Sequence, residues 1–369
     1  MSNLAIVAFP ATSLAMQLAS AARPVLLKEY RGVSTPRELD VPQEEMAALT
    51  AGAAVHDMGW LRRVAVRGED RFRWLSGMVT NMVTDLPEHG GAWNLVLNAQ
   101  GRIQGDLMVW RDGDQLEIEL DASQAEKLLA HLDQFIIMDD VELVQLNTDA
   151  TTAETSVGLT GPKASEVLVR AGLPALPEPM TQTRVEWNGF DLRLERGYGA
   201  LAEHYVIWVA QTGLVKLWRM LKAVGASPVG CDALDALRIA EGIPVYGIDI
   251  AERDLPQETS QMRALHFSKG CYLGQEIVER IRSRGSVHRH LKQLELDGPL
   301  PVAGTELTLG GAAMGQITSA ADLPLAAGAR RFALAMIRGE AEAKNEPLSY
   351  ATESGTGTAR TLTAAPSFL

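Results

Sequence analysis

Two stretches of alternating apolar and polar residues, each reversed at a glycine-containing turn, constrain the fold of this chain most. Residues 107–110 and 116–120 flank a turn at 111–114, and a second pair of alternating segments meets at Asn188-Gly189. Alternation places every second side chain against a core, and Asn-Gly accepts the positive φ angles of a tight hairpin. Helical patterns separate the hairpins without a strand–helix–strand repeat. The sequence therefore predicts an α+β fold with largely antiparallel sheets rather than a doubly wound parallel sheet.

Polar residues predict where two helices begin. Ser123, followed by Glu126 three positions later, is predicted to cap one helix, and Asp232 is predicted to cap another. Residues 1–22 are apolar, but no Lys or Arg precedes Arg23 and Pro10 interrupts the run. A secretory signal needs a basic first region, so an amphipathic first helix is preferred there.

Changes in composition and in the pattern of apolar residues divide the 369 residues into five parts. Residues 1–50 are predicted to be helical or extended, 51–150 a first α+β unit, and 151–287 a second α+β unit. Short leucine-containing pieces separated by Gly and Pro predict a small C-terminal β-barrel over residues 288–348. Residues 349–369 are rich in Thr, Ala, Ser and Gly without an apolar period, which predicts a disordered tail.

Charge and cysteine content exclude several classes of protein. A net charge of −12 opposes a protein that coats nucleic acid, because phosphate affinity comes from Lys and Arg. The two cysteines, Cys231 and Cys271, are too few for a disulfide framework and too few to hold an iron–sulfur cluster by four thiolates. Scattered histidines predict no metal site, and no apolar run reaches the ~18 residues of a membrane span. We therefore expect a cytoplasmic protein without a membrane partner.

The segment 269–276, Lys-Gly-Cys-Tyr-Leu-Gly-Gln-Glu, is the most informative motif. Two glycines bracket a Cys and a Tyr just before a helical pattern, which predicts a tight turn at a helix N-terminus. Backbone N–H groups and the Lys269 cation would there stabilise a Cys271 thiolate. The alternative is a small buried residue in a turn. The motif residues are Lys269, Gly270, Cys271, Tyr272, Gly274, Gln275 and Glu276.

A basic run follows this motif in an otherwise acidic chain. Arg280, Arg282 and Arg284 alternate along its first part, and it continues through His288, Arg289, His290 and Lys292. Such a cluster suits a polyanion, which would be a polyglutamate tail, a phosphate or a limited RNA contact. The alternative is a solvated face that pairs with Asp and Glu.

Residues 269–276 resemble the K-G-C-[FY]-x-G-Q-E signature of the YgfZ family, which are folate-binding proteins linked to iron–sulfur cluster maintenance. A wider resemblance, to the aminomethyltransferase superfamily that includes the glycine-cleavage T-protein, covers roughly residues 50–340. The supporting segments are 55–58, 68–75, 80–83, 100–106 and 237–247. This resemblance implies two related α+β units and a C-terminal barrel around a central channel that holds folate.

The same resemblance suggests site residues and shows two departures from the T-protein. Arg238 is the expected partner of folate carboxylates, and Asp106, Asn81 and Tyr198 are expected channel residues. Where the transferases carry a pair of Asp residues, this chain has Gly105-Asp106, so one carboxylate is missing. The transferase motif whose Glu holds the pterin matches here only at Gly197-Tyr198, and Glu203 would replace that Glu only with a shift in register.

The resemblance therefore implies a protein that binds tetrahydrofolate or a related reduced folate. It would support assembly or repair of iron–sulfur enzymes, including those that modify tRNA, and its partners would be client enzymes or assembly proteins. Cys271 would be the reactive thiol, Lys269 would tune it, and Tyr272 would shape its surroundings. Two alternatives stay open, namely a folate-dependent aminomethyltransferase and a non-catalytic scaffold, so the sequence does not decide whether the protein is an enzyme.

Overall fold

The structure is a computed structural model that describes residues 10–19, 25–146 and 153–368. The strands are β1 (Leu27–Tyr30), β2 (Val33–Pro36), β3 (Ala54–Asp57), β4 (Leu61–Arg67), β5 (Gly91–Leu97), β6 (Ile103–Asp112), β7 (Gln115–Asp121), β8 (Glu142–Gln145), β9 (Glu154–Thr160), β10 (Thr181–Trp187), β11 (Phe190–Arg196), β12 (His204–Ala210), β13 (Ser227–Val229), β14 (Arg289–Asp297), β15 (Glu306–Leu309), β16 (Ala312–Leu325), β17 (Gly328–Arg338), β18 (Leu348–Thr352) and β19 (Gly355–Thr361). The α-helices are α1 (Ser13–Ala19), α2 (Pro42–Ala51), α3 (Arg71–Met78), α4 (Ala122–Asp133), α5 (Ala164–Arg170), α6 (Leu214–Ala223), α7 (Cys231–Glu241), α8 (Gln275–Arg284) and α9 (Gly339–Lys344). Short 3₁₀ turns occupy Gln211–Gly213, Pro256–Thr259 and Met262–Ala264.

The predicted α+β class and both predicted hairpins are confirmed. Strands β6 and β7 pair antiparallel up to Asp112 and Gln115, around Gly113. Strands β10 and β11 pair up to Trp187 and Phe190, and the two turn residues Asn188 and Gly189 both have positive φ. These are the angles of the turn that matches the twist of paired strands.

Two mixed layers of sheet and helix form most of the chain. The first sheet has the order β5-β6-β7-β4-β8, and its buried face packs against α3 and α4. The second sheet has the order β10-β11-β12-β9-β3-β13 and packs against α5 and α6. The boundary expected at residue 51 is wrong in one respect, because β3 belongs to the second sheet, where it pairs with β9 and β13.

The C-terminal strands close into a barrel, in the order β14-β17-β16-β15-β18-β19. The disordered tail expected over residues 349–369 is therefore wrong, since β18 and β19 are two of the strands of this barrel. Tyr350 is buried, and its ring lies so close to Gly357 that a Cβ at that position would be 2.4 Å from it. Small and polar residues suffice here because only one face of each strand is buried. Backbone hydrogen bonds to the neighbouring strands of the barrel hold these segments in place.

The helix starts also differ from the sequence expectation. Helix α4 begins one residue before Ser123, and Asp121 occupies the capping position, although its side chain makes no capping bond. Asp232 lies inside the first turn of α7, and its carboxylate pairs with Lys28 and Arg37 of the β1–β2 segment at 2.7 Å each. The first predicted helix is described only at Ser13–Ala19, because residues 1–9 and 20–22 lie outside the described part of the chain. Of the helices described, none is both long and apolar enough to cross a membrane.

Candidate functional site

A cavity of about 540 Å³ lies where the two α+β units meet, and it brings together all three expected channel residues. Asn81, Asp106 and Tyr198 all line it. Its size falls within the ~300–1,000 Å³ of typical small-molecule sites. The other polar or aromatic lining residues used below are Arg31, Trp93, Glu119, Asp121 and Arg263.

Asp106 is the best-placed carboxyl of this cavity. Its Oδ2 accepts a hydrogen bond from Trp93 Nε1 at 2.9 Å, and its Oδ1 accepts one from Gln124 Nε2 at 3.0 Å. Burial raises the pKa of Asp106, and the nearby charge of Asp121 raises it further. A carboxyl with a raised pKa holds its proton more readily than an exposed Asp does, which suits a group that exchanges a proton with a bound ligand.

A cation between two aromatic rings forms another part of the wall. The guanidinium carbon of Arg263 lies 3.8 Å from the centre of the Tyr198 ring and 5.0 Å from that of Trp93. Burial lowers the pKa of Arg263, but the side chain keeps its positive charge, because a guanidinium is not deprotonated in proteins. Asn81 holds this arrangement, because its Nδ2 donates to the backbone carbonyls of Trp93 and Arg263 at 3.0 and 2.8 Å.

Two further charged lining residues, Arg31 and Glu119, lie beside other charged side chains. Arg31 binds Asp121 at 2.9 Å. Glu119 accepts a bond from Trp208 Nε1 at 3.1 Å, and the same N–H lies 3.3 Å from Glu195. Burial and the neighbouring Glu195 raise the pKa of Glu119 well above its usual range. The wall thus combines a charged pair with a carboxyl whose neutral, protonated form is favoured by burial.

Arg238 does not line the cavity, which corrects its expected contact with folate carboxylates. Arg238 is 5 % exposed, and its guanidinium binds Asp235 at 2.7 Å and Asp249 at 2.6 Å. A third bond, at 3.1 Å, reaches Ser319 of β16. Arg238 therefore ties α7 to the barrel, and the arginines that face the cavity are Arg31 and Arg263.

The Lys-Gly-Cys-Tyr motif lies in a loop that leads into α8. Cys271 is exposed, so the alternative of a small buried residue is wrong. Gly274 has φ +82° immediately before α8, and a Cβ there would lie 2.6 Å from the carbonyl oxygen of Asn98. Gln275 accepts a bond from the Tyr272 backbone, whereas Glu276 and Gly270 are exposed. The turn thus needs a glycine at 274 and presents the thiol to solvent.

Lys269 has partners other than the thiol that it was expected to tune. Its Nζ donates to the backbone carbonyls of Ser76, Val79 and Asn81 at 2.8, 2.6 and 2.7 Å. The three N–H groups of an ammonium are all used by these contacts. Burial lowers the pKa of Lys269 to about 7, and the Tyr272 ring centre lies 5.2 Å from Nζ. Burial also raises the pKa of Tyr272 to about 12, so its hydroxyl stays protonated.

The second cysteine differs sharply from Cys271. Cys231 is 1 % exposed, and burial raises the pKa of its thiol to about 12. A thiol of this kind reacts slowly because the thiolate is the nucleophile. Cys271 is therefore the accessible thiol of the protein.

The basic run is divided between free and paired side chains. Arg280 and Arg282 lie on α8 and are exposed, although Arg282 also approaches Glu279 at 3.5 Å. Arg289 pairs with Asp254 at 2.7 Å and with Glu258 at 3.0 Å. The Arg284 side chain lies outside the described part of the structure. The solvated-face alternative thus holds for Arg289, and the exposed positive surface is on α8.

Sequence reasoning missed Trp93 and Arg263 as well as the charged residues Arg31, Glu119 and Asp121. Glu119 carried a signal, because it lies on β7, where apolar and acidic residues alternate in the sequence. Trp93 lies on β5, whose sequence shows no such alternation. Arg263 lies in a short 3₁₀ turn within an irregular segment, where no period indicates which way a side chain points.

Comparison with known proteins places these features in a family. An aminomethyltransferase of Rubrobacter xylanophilus is 28% identical over 87% of this chain and 86% of its own length. A putative chloroplastic transferase of Arabidopsis thaliana is 25% identical over 76% of this chain and 64% of that protein. The crystal structure of glycine cleavage system aminomethyltransferase T from Bartonella henselae has the same fold, with a TM-score of 0.84 over 98% of both chains at 19% identity. Residues 15–269 match the GCVT N-terminal domain, and the chain therefore belongs to this family of the aminomethyltransferase superfamily.

Proposed function

We propose that the cavity binds tetrahydrofolate or a related reduced folate. The observation that carries the proposal is the juxtaposition of the half-buried Asp106 carboxyl with the Arg263 cation and the Tyr198 and Trp93 rings around one space of about 540 Å³. A folate combines a flat heterocycle bearing N–H donors, an aromatic ring and carboxylates. Aromatic faces suit the rings, a carboxyl suits the donors, and Arg suits the carboxylates.

The chain's own residues divide this work by their chemistry. Trp93 and Tyr198 offer flat faces, Asp106 and Asn81 offer hydrogen bonds, and Arg263 offers a positive charge inside a half-buried wall. Bound folate supplies a carrier for one-carbon groups. Asp106 would hold or release a proton next to it, because burial has raised its pKa above the usual range.

We further propose that the protein supports assembly or repair of iron–sulfur enzymes, including those that modify tRNA, through contacts with these enzymes or with assembly proteins. The exposed Cys271 in a motif that resembles the YgfZ signature supports this role. With one accessible thiol, any contact with a cluster would have to be shared with a partner. A free thiol of this kind suits a reducing compartment, and we propose the cytoplasm.

A second candidate is folate-dependent aminomethyl transfer, which the names of the relatives favour. Asp106 could then serve as a general acid or base. The missing second carboxylate at Gly105 weighs against this reaction, since the transferases resembled here carry a pair.

Calorimetric titration with tetrahydrofolate tests the binding proposal. We expect saturable binding to the wild-type protein and at least ~10-fold weaker binding to Asp106→Asn, which removes a charge-assisted bond. Asp133→Asn, at an exposed position outside the cavity, is the matched control and should bind as the wild type does. Absence of binding heat from the wild type would refute the proposal and leave the scaffold alternative.

Two further assays separate the two candidate activities. In cells under oxidative stress, Cys271→Ser should lower the activities of iron–sulfur enzymes while Cys231→Ala should not. Unchanged activities in the Cys271→Ser strain would contradict the iron–sulfur role. Transfer of a labelled carbon from a methylated amine to tetrahydrofolate by the purified protein would instead support the transferase.

The exposed arginines of α8 provide a separate surface, for which we propose a limited contact with RNA. Arg280 and Arg282 are the described members of this surface, and Arg284 is its third sequence member. Replacing Arg280 and Arg282 by Glu should weaken binding of a short RNA in a filter assay at low salt and reduce its salt dependence. Equal binding by the variant would leave the helix as a solvated face.

A further inference from the structure

The Lys269 ammonium joins two parts of the molecule that are far apart in sequence. Its three carbonyl partners, Ser76, Val79 and Asn81, lie in the last turn of α3 or just after it, about 190 residues before the lysine. The lysine is 8 % exposed, so the three bonds lie out of solvent. Buried polar contacts of this kind hold their partners in one arrangement, because breaking them leaves unsatisfied carbonyls.

One of these carbonyls belongs to a residue of the cavity wall. Asn81 lines the cavity, and its side chain donates to the carbonyls of Trp93 and Arg263. Trp93 in turn donates to Asp106. A molecule in the cavity therefore touches residues that are one or two hydrogen bonds from Lys269.

The other end of the connection is the loop of residues 269–274, called the thiol loop below because it carries Cys271. Cys271 lies two residues after Lys269, and the Leu273 backbone N–H donates to the carbonyl of Gly77, in the same segment that Lys269 binds. The thiol loop is thus fixed to the end of α3 at both sides of Cys271. A shift of the Ser76–Asn81 segment has to be transmitted to this loop.

We propose that Lys269 is a positioning residue that couples occupancy of the cavity to the reactivity of Cys271. This inference rests on the proposed function for the identity of the occupant, a reduced folate, but the connection itself does not require it. A ligand that steadies Asn81 and Trp93 steadies the three carbonyls, the lysine and the loop. An occupied cavity therefore presents a more rigidly held thiol.

The test measures alkylation of Cys271 by iodoacetamide in the full-length protein, followed by intact mass. Cys231 is buried with a raised pKa, so the first modification reports on Cys271. Saturating tetrahydrofolate should slow the wild-type reaction by about 5-fold, the lower end of typical coupling between sites. In Lys269→Met the ratio of rates with and without folate should fall to one. A lysine with only a structural role would change both rates equally and leave the ratio intact, which would overturn the proposal.

Two controls keep this result interpretable. Lys163→Met, at an exposed position on the second unit, should keep the wild-type ratio. If Lys269→Met does not fold, Lys269→Gln, which keeps one donor group, serves in its place. In this variant the ratio of alkylation rates with and without folate should fall most of the way to one. An unchanged ratio in either Lys269 variant contradicts the coupling.

A folate-free arm separates this inference from the proposed ligand. Asn81→Ala removes the side-chain bonds that hold the cavity end of the connection. In the double-mutant cycle with Lys269→Met, we expect the effects on the alkylation rate to be non-additive, because both changes act on one connection. Additive effects would overturn the inference even if folate binds. Non-additive effects without folate binding would retain it and refute the proposed ligand instead.

Discussion

The buried lysine of the thiol motif should make the stability of the protein depend on pH in a direction that can be worked out in advance. Burial lowers the pKa of Lys269 from 10.5 to about 7 in the folded protein. Below pH 7 both the folded and the unfolded chain hold the proton. Between pH 7 and about 10, the unfolded chain keeps the proton that the folded chain has released, so unfolding takes up a proton. The free energy of unfolding must therefore rise with pH across this window.

The size of this effect follows from the same shift. A full proton taken up on unfolding changes the free energy by about 1.4 kcal/mol per pH unit. Because the lysine is half titrated at pH 7, the rise between pH 7 and pH 9 amounts to about 2 kcal/mol.

Urea unfolding followed by tryptophan fluorescence at pH 6, 7, 8 and 9 measures this rise. Other groups titrate in the same range, so the informative quantity is the difference between the wild type and Lys269→Met at each pH. We expect the wild type to gain about 2 kcal/mol on the variant between pH 7 and pH 9. The exposed-site variant Lys163→Met should follow the wild type. Parallel curves for the wild type and Lys269→Met would refute the reasoning.

Three other substitutions test further parts of the structure. Burial lowers the pKa of His204, but the Glu241 carboxylate at 2.8 Å outweighs this and raises it. The stabilisation from this pair should be present at pH 5.5 and be lost as the pH rises through that raised value, and urea unfolding of His204→Asn should lack this dependence. Arg63→Leu leaves Glu117 short of one of its buried partners and should lower the free energy of unfolding by about 3–5 kcal/mol in the same assay. Gly105→Asp should lower the midpoint of thermal unfolding and weaken tetrahydrofolate binding in calorimetry, and wild-type values for both would contradict the packing described below.

The hairpins could be predicted because their signals are local. Asn188 and Gly189 both adopt positive φ, which is a property of the two residues themselves, and the alternating segments on either side are paired with each other. The same reasoning failed for β18 and β19. Strand β19 pairs with β14, which precedes it by about 60 residues, and a polar segment gains its stability from that distant partner. Local composition therefore indicated a disordered tail where the barrel closes.

The site shows the same limit for long cationic side chains. Lys269 is two residues from Cys271, and this closeness suggested that the ammonium acts on the thiol. The side chain instead extends across to the end of α3, where three carbonyls can accept all of its donors. Arg238 likewise reaches Asp249 and Ser319 rather than the cavity. A sequence shows where such a side chain starts, whereas burial and acceptor geometry decide where its charge lies.

Gly105 is the position where this reasoning bears most directly on function. A Cβ at residue 105 would lie 2.7 Å from Gln124 Oε1 and 2.8 Å from a methyl carbon of Leu128, so β6 packs on α4 without space for a side chain. Gln124 also makes two hydrogen bonds to Asp106: its Oε1 accepts from the Asp106 backbone N–H, and its Nε2 donates to the Asp106 carboxylate. A second carboxylate at 105 would therefore displace the group that orients the first. The cavity is built around a single carboxyl at this point, and a reaction that needs an adjacent pair would require α4 to pack differently.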